Sequence, residues 1–94
     1  MRLPTIKTVS ALVRRFKQEI RDDYIAEDDD LPGIDLTIGF DPETSDWSFQ
    51  TGNNCFSGAA YGYPIWGVAR IYRRSNSREL ARELIAQIKD QIEE

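Results

Sequence analysis

The residues best suited to bind a partner or a ligand lie in a glycine-rich and aromatic-rich segment from Thr51 to Gly67. Glycine permits backbone conformations that other residues resist, and aromatic side chains offer a large contact area at a small entropic cost. A connector of this length in a small domain is usually functional or disordered, and its aromatic residues favour function. The sequence therefore predicts a binding site that contains Asn53, Asn54, Tyr61, Tyr63 and Trp66.

Side chains suited to catalysis or metal binding are scarce. The chain has no histidine, which is the usual acid or base near neutral pH and the most common transition-metal ligand. Its single cysteine cannot form an internal disulfide or a zinc finger. The neighbours of Cys55, which include Asn54 and Ser57, supply no base or positive charge that would activate the thiol, so a structural role is predicted for it. We therefore expect a protein that is not an enzyme and that binds no cofactor or metal.

The acidic run from Glu27 to Asp30 has the composition of a calcium loop but not its spacing. Counted from Asp28, an EF-hand would need oxygen ligands at the positions that Pro32 and Gly39 occupy. A solvated loop is therefore predicted, with a weak cation site as the alternative.

The glycines of the 51–67 segment lack the Gly-Lys-Ser/Thr sequence of a phosphate-binding P-loop, and turn geometry is the better explanation for them. Successive backbone N–H groups can still form a cradle for an anion. An anion or small-molecule site in this segment is thus an alternative, with Tyr61, Tyr63 and Trp66 as its walls.

The net charge of −4 is distributed unevenly along the chain. Residues 1–21 carry six basic residues and one acidic residue, whereas residues 22–46 carry ten acidic residues and no basic one. Such blocks either bind partners of opposite charge or lie near each other and weaken each other's field. Because exposed charge pairs are common and individually weak, we adopt the second interpretation.

Apolar residues recur at spacings of three and four from Thr5 to about Tyr24, which predicts an amphipathic helix. Alternation of apolar and polar residues predicts strands at 34–40 and 47–52, joined as an antiparallel hairpin. A β-rich stretch at 65–72 predicts a third strand, and Asn76 with Glu79 has the spacing of a capping box before a second helix. The apolar stripe of that helix consists of Leu80, Ala81, Leu84, Ile85, Ile88 and Ile92.

This order predicts a single α+β domain over residues 1–94, with α-β-β-β-α connectivity in two layers. A three-stranded antiparallel sheet forms one layer, and both helices pack on one face of it. The side chains that we expect to be largely buried between the layers are Phe16, Ile20, Ile38, Phe40, Leu84 and Ile88.

The third strand divides its side chains between the two faces of the sheet. Arg70 is poorly suited to an unpaired place in the core, so its set of alternate residues is predicted to face away from the helices, beside Thr37. The outward set is Trp66, Val68, Arg70 and Tyr72, and the inward set is Ile65, Gly67, Ala69 and Ile71.

The order of elements and one helical segment resemble the double-stranded RNA-binding domain. The segment Ser77-Arg-Glu-Leu-Ala-Arg-Glu-Leu-Ile-Ala86 is similar to that family's Ser-Lys-Lys-x-Ala-Lys-x-x-Ala-Ala motif. The resemblance implies RNA binding through Arg73, Arg74, Arg78 and Arg82, with Arg14 and Arg15 as further contacts. Glu79 stands at the central lysine position, and the chain is acidic, whereas nucleic-acid binders usually present a basic face. We therefore expect no nucleic-acid partner and keep RNA binding as an alternative.

Exposed aromatic residues beside a glycine-rich segment are typical of protein interfaces. The sequence predicts an interaction module that docks a protein partner, or forms a homodimer, through the aromatic sheet face and the 51–67 segment. No apolar run approaches the ~20 residues of a membrane span, and the N-terminal residues contain no apolar signal segment. With a single cysteine, these features predict a cytoplasmic protein without a membrane partner.

Overall fold

The computed structural model describes residues 2–23, 33–52 and 59–93, without the side chains of 19–23, 59 and 61. The predicted α+β fold is confirmed, with two helices and a three-stranded antiparallel sheet in the expected order. A short 3₁₀ helix, η1, was not predicted. The elements are α1 (Ile6–Asp23), β1 (Ile34–Phe40), β2 (Trp47–Gly52), η1 (Ala59–Gly62), β3 (Ile65–Ile71) and α2 (Ser77–Glu93).

Helix α1 begins after Thr5, whose side chain caps it. The Thr8 N–H donates to Thr5 Oγ1 at 3.1 Å, and the Val9 N–H donates to the Thr5 carbonyl oxygen at 3.0 Å. The cap supplies a partner to an amide that has none inside the helix. Val9 and Phe16, from the predicted apolar stripe, are buried, and Tyr24 lies outside the described residues.

Strand β1 is the centre of the sheet, with β2 and β3 antiparallel to it on either side. Ile38 of β1 pairs with Phe49 of β2 and with Gly67 of β3, which fixes the register of both ladders. The β1–β2 hairpin closes with a hydrogen bond from the Asp41 N–H to the Asp46 carbonyl oxygen at 2.9 Å. The predicted hairpin is therefore confirmed.

Helix α2 begins where the spacing of Asn76 and Glu79 predicts. The Glu79 N–H donates to Asn76 Oδ1 at 3.0 Å, and the Leu80 N–H donates to the Asn76 carbonyl oxygen at 3.1 Å. The Lys17 ammonium donates to the Ser75 carbonyl oxygen, which ties α1 to the segment before α2. The two helices pack against each other on one face of the sheet, hereafter the helix-side face.

The core lies between the helices and the helix-side face. Its β3 contribution is the inward set, in which Ala69 and Ile71 are buried, as predicted. The side chain of Ile20 lies outside the description. The other predicted core residues are all buried, namely Phe16, Ile38, Phe40, Leu84 and Ile88.

Two glutamines of α2 bind the outer edge of β3. Gln87 Oε1 accepts from the Val68 N–H at 2.9 Å, and Gln87 Nε2 donates to the Val68 carbonyl oxygen at 3.0 Å. Gln91 makes the same pair of bonds with Trp66, at 3.4 and 2.8 Å. The amide groups thus occupy the positions that a neighbouring strand would use. Gly67 lets α2 come this close, because a Cβ there would lie 3.2 Å from the Leu84 carbonyl oxygen.

The helix layer is displaced toward β3. Helix α2 packs on β3, and α1 contacts β1 and β3. Every residue of β2 is only partly buried, although Trp47 and Phe49 belong to the helix-side face with their partners Phe40 and Ile38. The displacement leaves the helix-side face of β2 half open.

Truncation of Leu84 tests the docking of α2. Leu84 is fully buried, so Leu84→Ala removes apolar contacts and leaves a cavity. We expect a loss of about 2–5 kcal/mol in the free energy of unfolding, measured by urea denaturation. The control is Glu83→Ala on the exposed surface of the same helix, which should change stability by no more than about 0.5 kcal/mol. Equal midpoints for the two variants would contradict this packing.

Candidate functional site

The predicted 51–67 site is described only in part. Asn53 and Asn54 lie outside the described residues, and so does the side chain of Tyr61. The described part contains η1, which packs on β1 and β2. Because the helices occupy the opposite face, η1 covers the far face of the sheet.

The far face is closed at its centre, which corrects the expectation of an open surface beside Thr37. Thr37 is fully buried, and its hydroxyl has no hydrogen-bond partner among the described residues. Ala60 of η1 is also fully buried. A Cβ on Gly39 would lie 2.4 Å from the Ala60 carbonyl oxygen and 2.9 Å from Tyr63 Cβ. The chain therefore covers its own sheet here, and Gly39 is needed because its neighbours approach so closely.

The outward set of β3 lies on the far face, as the register with β1 requires, but it does not form one patch. Trp66 and Tyr72 are 39% and 45% exposed, whereas Val68 between them is half-buried. Trp66 and Tyr72 are six positions apart in the chain, which is about 20 Å in extended backbone. Arg70 is bound by Asp35, with 2.9 Å between Nη1 and Oδ1, and its guanidinium lies 6.0 Å from the Tyr72 ring centroid.

A second surface, which sequence reasoning missed, is the groove between α1 and β2. The groove has a volume of about 780 Å³. The Phe49 ring lies 5.9 Å from the Phe16 ring and 6.2 Å from the Trp47 ring, between centroids, so the groove floor continues into the core. We call this surface the α1–β2 groove, and its lining residues are Lys7, Thr8, Ala11, Leu12, Arg15, Trp47 and Phe49.

The groove was missed because alternation along a strand shows which residues share a face, not whether a helix covers that face. The alternation of residues 47–52 shows that Trp47 and Phe49 share a face, but it does not show how far that face is exposed. The sequence feature that relates to the groove lies in α2 and β3. Gln87 and Gln91 stand one helical turn apart on α2, and both lie near Gly67 of β3. These residues displace the helix layer and expose the groove.

The rim of the α1–β2 groove is cationic. Lys7 and Arg15 are exposed on α1, and no acidic residue occurs between positions 2 and 18. The Arg15 guanidinium lies 5.7 Å from the centroid of the Phe16 ring, a distance at which a cation is attracted to a ring face. The groove therefore combines an aromatic floor with positive charge on the helical side.

The arginines of the RNA-binding alternative lie partly together. Arg14 of α1 and Arg78 of α2 line a cleft of about 430 Å³ between the two helices, with Lys7 and Ser10. Arg73, Arg74 and Arg82 are exposed. Over residues 2–23, 33–52 and 59–93, no cluster of three metal-binding side chains occurs, and neither helix is long and apolar enough to cross a membrane.

Comparison with known proteins identified no relative. No protein-family model matches the chain, and neither the curated proteins nor the solved structures include a significant match.

Substitution of Gly39 tests whether η1 covers the far face. In Gly39→Ala the added methyl group would collide with Ala60 and Tyr63, and overpacking of this kind costs about 1–3 kcal/mol. We expect a lower urea midpoint. The matched control is Gly62→Ala, because a Cβ at Gly62 meets no atom within 4 Å. Equal stability of Gly39→Ala and Gly62→Ala would show that η1 does not lie on β1.

The cleft lined by Arg14 and Arg78 is the surface on which RNA binding can be tested. We expect no binding of double-stranded RNA at moderate salt, since Glu79 and Glu83 lie on the exposed surface of α2 among its arginines. Fluorescence anisotropy with a labelled RNA duplex measures this. Micromolar binding that is lost in Arg78→Glu but kept in Lys89→Glu, farther along the same helix, would overturn the expectation.

Proposed function

We propose that this protein is a non-enzymatic interaction module that docks a protein partner in the α1–β2 groove. The observation that supports the proposal is the partial exposure of Trp47 and Phe49 on the floor of the groove. Aromatic residues, Trp above all, are enriched among the residues that contribute most to binding between proteins. Leu12 extends the apolar floor onto α1.

The charges beside the groove indicate the chemistry of the partner. Lys7 and Arg15 border the aromatic floor, so a segment with apolar residues and nearby carboxylates complements the groove better than a basic segment does. Rim charges of this kind mainly raise the association rate and select among partners. The apolar contacts with Trp47 and Phe49 then add to the affinity.

Self-association is the second form of this proposal. Trp66 and Tyr72 are two of the three exposed large apolar side chains among the described residues, and a second copy would cover them. The α1–β2 groove is the better supported surface because its aromatic residues are adjacent. We place the module in the cytoplasm because its single cysteine suits a compartment without disulfides.

Selection from a library of displayed peptides tests the groove. We expect selected peptides to shift the ¹⁵N–¹H resonances of Leu12, Trp47 and Phe49. Ala11→Glu places a carboxylate on the groove wall at an exposed helical position, so the fold is kept while binding falls about tenfold or more.

The matched control is Ala86→Glu, the same substitution at an exposed position of α2. It should bind the selected peptides like the wild type. Resonance shifts confined to Trp66 and Tyr72, or equal affinities of the two variants, would remove the groove from the proposal.

A further inference from the structure

The two edges of the sheet are treated differently. The outer edge of β3 is closed by the amide groups of Gln87 and Gln91, which bind the N–H and C=O of Val68 and Trp66. Strand β2 forms the other edge, and the described residues offer its outer side no such cover. An open edge is a template for another strand.

The glutamine contacts establish which backbone groups of each strand face outward. In an antiparallel sheet, the N–H and C=O of a residue point to the same side, and successive residues alternate. The backbone N–H and C=O groups of Trp66 and Val68 point away from β1. Those of the alternate residues Ile65, Gly67 and Ala69 therefore point toward β1. Their β1 partners, which include Ile38, therefore direct their backbone groups toward β3.

The same alternation continues across β1 into β2. Thr37 and Gly39 direct their N–H and C=O toward β2, where they pair with Gln50 and Ser48. The backbone groups of the alternate residues of β2 point away from β1. Trp47, Phe49 and Thr51 thus present their backbone groups to the open edge, and no described residue outside the β1–β2 ladder hydrogen-bonds to them.

The same residues of β2 therefore carry both the outward backbone groups and the aromatic side chains of the groove. Trp47 and Phe49 place their side chains in the α1–β2 groove and their N–H and C=O groups on the open edge. A strand that pairs with them places its directly opposite residues on the same face of the sheet. Alternate side chains of such a strand would enter the groove.

We infer that the groove receives an extended acidic segment of a partner protein, which adds to β2 as a fourth, antiparallel strand. This inference rests on the proposed function. The recognition mode is strand addition, in which backbone hydrogen bonds supply affinity and pockets for alternate side chains supply specificity. Lys7 and Arg15 both line the groove on the side of α1, so a strand that carries acidic residues on either side of an apolar pair complements both the charge and the aromatic floor of the groove.

A second copy of this chain fits the edge less well. Twofold pairing of β2 with β2 places both helix layers on the same side of the joined sheet. The Lys7 and Arg15 residues of both copies would then border one joined groove, and a positively charged groove is not complementary to itself. Charge complementarity therefore favours an acidic partner.

The test uses the capped heptapeptide Glu-Thr-Val-Thr-Ile-Thr-Glu, whose apolar and acidic residues share one face of a strand. We expect it to shift the ¹⁵N–¹H resonances of Leu12, Trp47 and Phe49 in the full chain. Methylation of the backbone nitrogens of its third and fifth residues removes the hydrogen bonds to β2 and should weaken binding about tenfold or more. Methylation at the second and fourth residues, whose N–H groups point away, should leave the affinity within about twofold.

Protein variants test the charges. Arg15→Glu should weaken the peptide about tenfold, whereas Arg82→Glu, an equal charge change on the exposed surface of α2, should not. Circular dichroism checks that both variants fold.

Each contrary outcome overturns a different statement. Binding in the groove that tolerates both methylation patterns refutes strand addition and leaves the proposed function in place. No shift at millimolar peptide refutes the inference, while the display selection decides the proposed function separately. A dimer in sedimentation experiments that Ala11→Glu dissociates would assign the edge to a second copy and overturn the acidic partner.

Discussion

The contact between α2 and the outer edge of β3 determines much of the rest of this structure. Gln87 and Gln91 stand one helical turn apart, and each binds the N–H and the C=O of one β3 residue, Val68 for Gln87 and Trp66 for Gln91. Buried or half-buried backbone groups need partners, and here two side-chain amides replace a neighbouring strand. The absence of a side chain at Gly67 brings the helix close enough for these bonds to form.

This contact also sets the position of the helix layer over the sheet. Helix α2 is held at the β3 edge, α1 packs beside it, and β2 at the other side is covered only in part. Closure of one sheet edge thus leaves the helix-side face of the opposite strand half open. The exposure of the aromatic floor of the groove is a consequence of this displacement.

The far face has a separate constraint. The chain returns across the sheet as η1, and Ala60 and Tyr63 lie directly over Gly39. A larger residue at position 39 would hold η1 away from β1. The central strand is therefore buried on both faces, which explains why Thr37 is fully buried despite its polar side chain. The exposed aromatic residues of this face, Trp66 and Tyr72, are left at opposite ends of β3.

The elements were predictable from the sequence because their signals are local. Periodicities of 3.6 and 2, the Asn76 cap and the turn-forming connector at 41–46 each depend on residues close together in the chain. The assignment of Ala69 and Ile71 to the core followed from the parity of Arg70, which is also local. The core residues Phe16, Ile38, Phe40, Leu84 and Ile88 could be identified in the same way.

The candidate site could not be predicted in that way, because it depends on distances between elements. Alternation shows that Trp47 and Phe49 share a face, but only the packing of α2 on β3 shows that no helix fully covers them. The position of η1 over Gly39 likewise joins residues that are about twenty positions apart. Sequence by itself determined which residues share a face, because that property is set by the backbone repeat. Tertiary structure decided which faces are covered, because coverage depends on where α2 and η1 come to rest on the sheet.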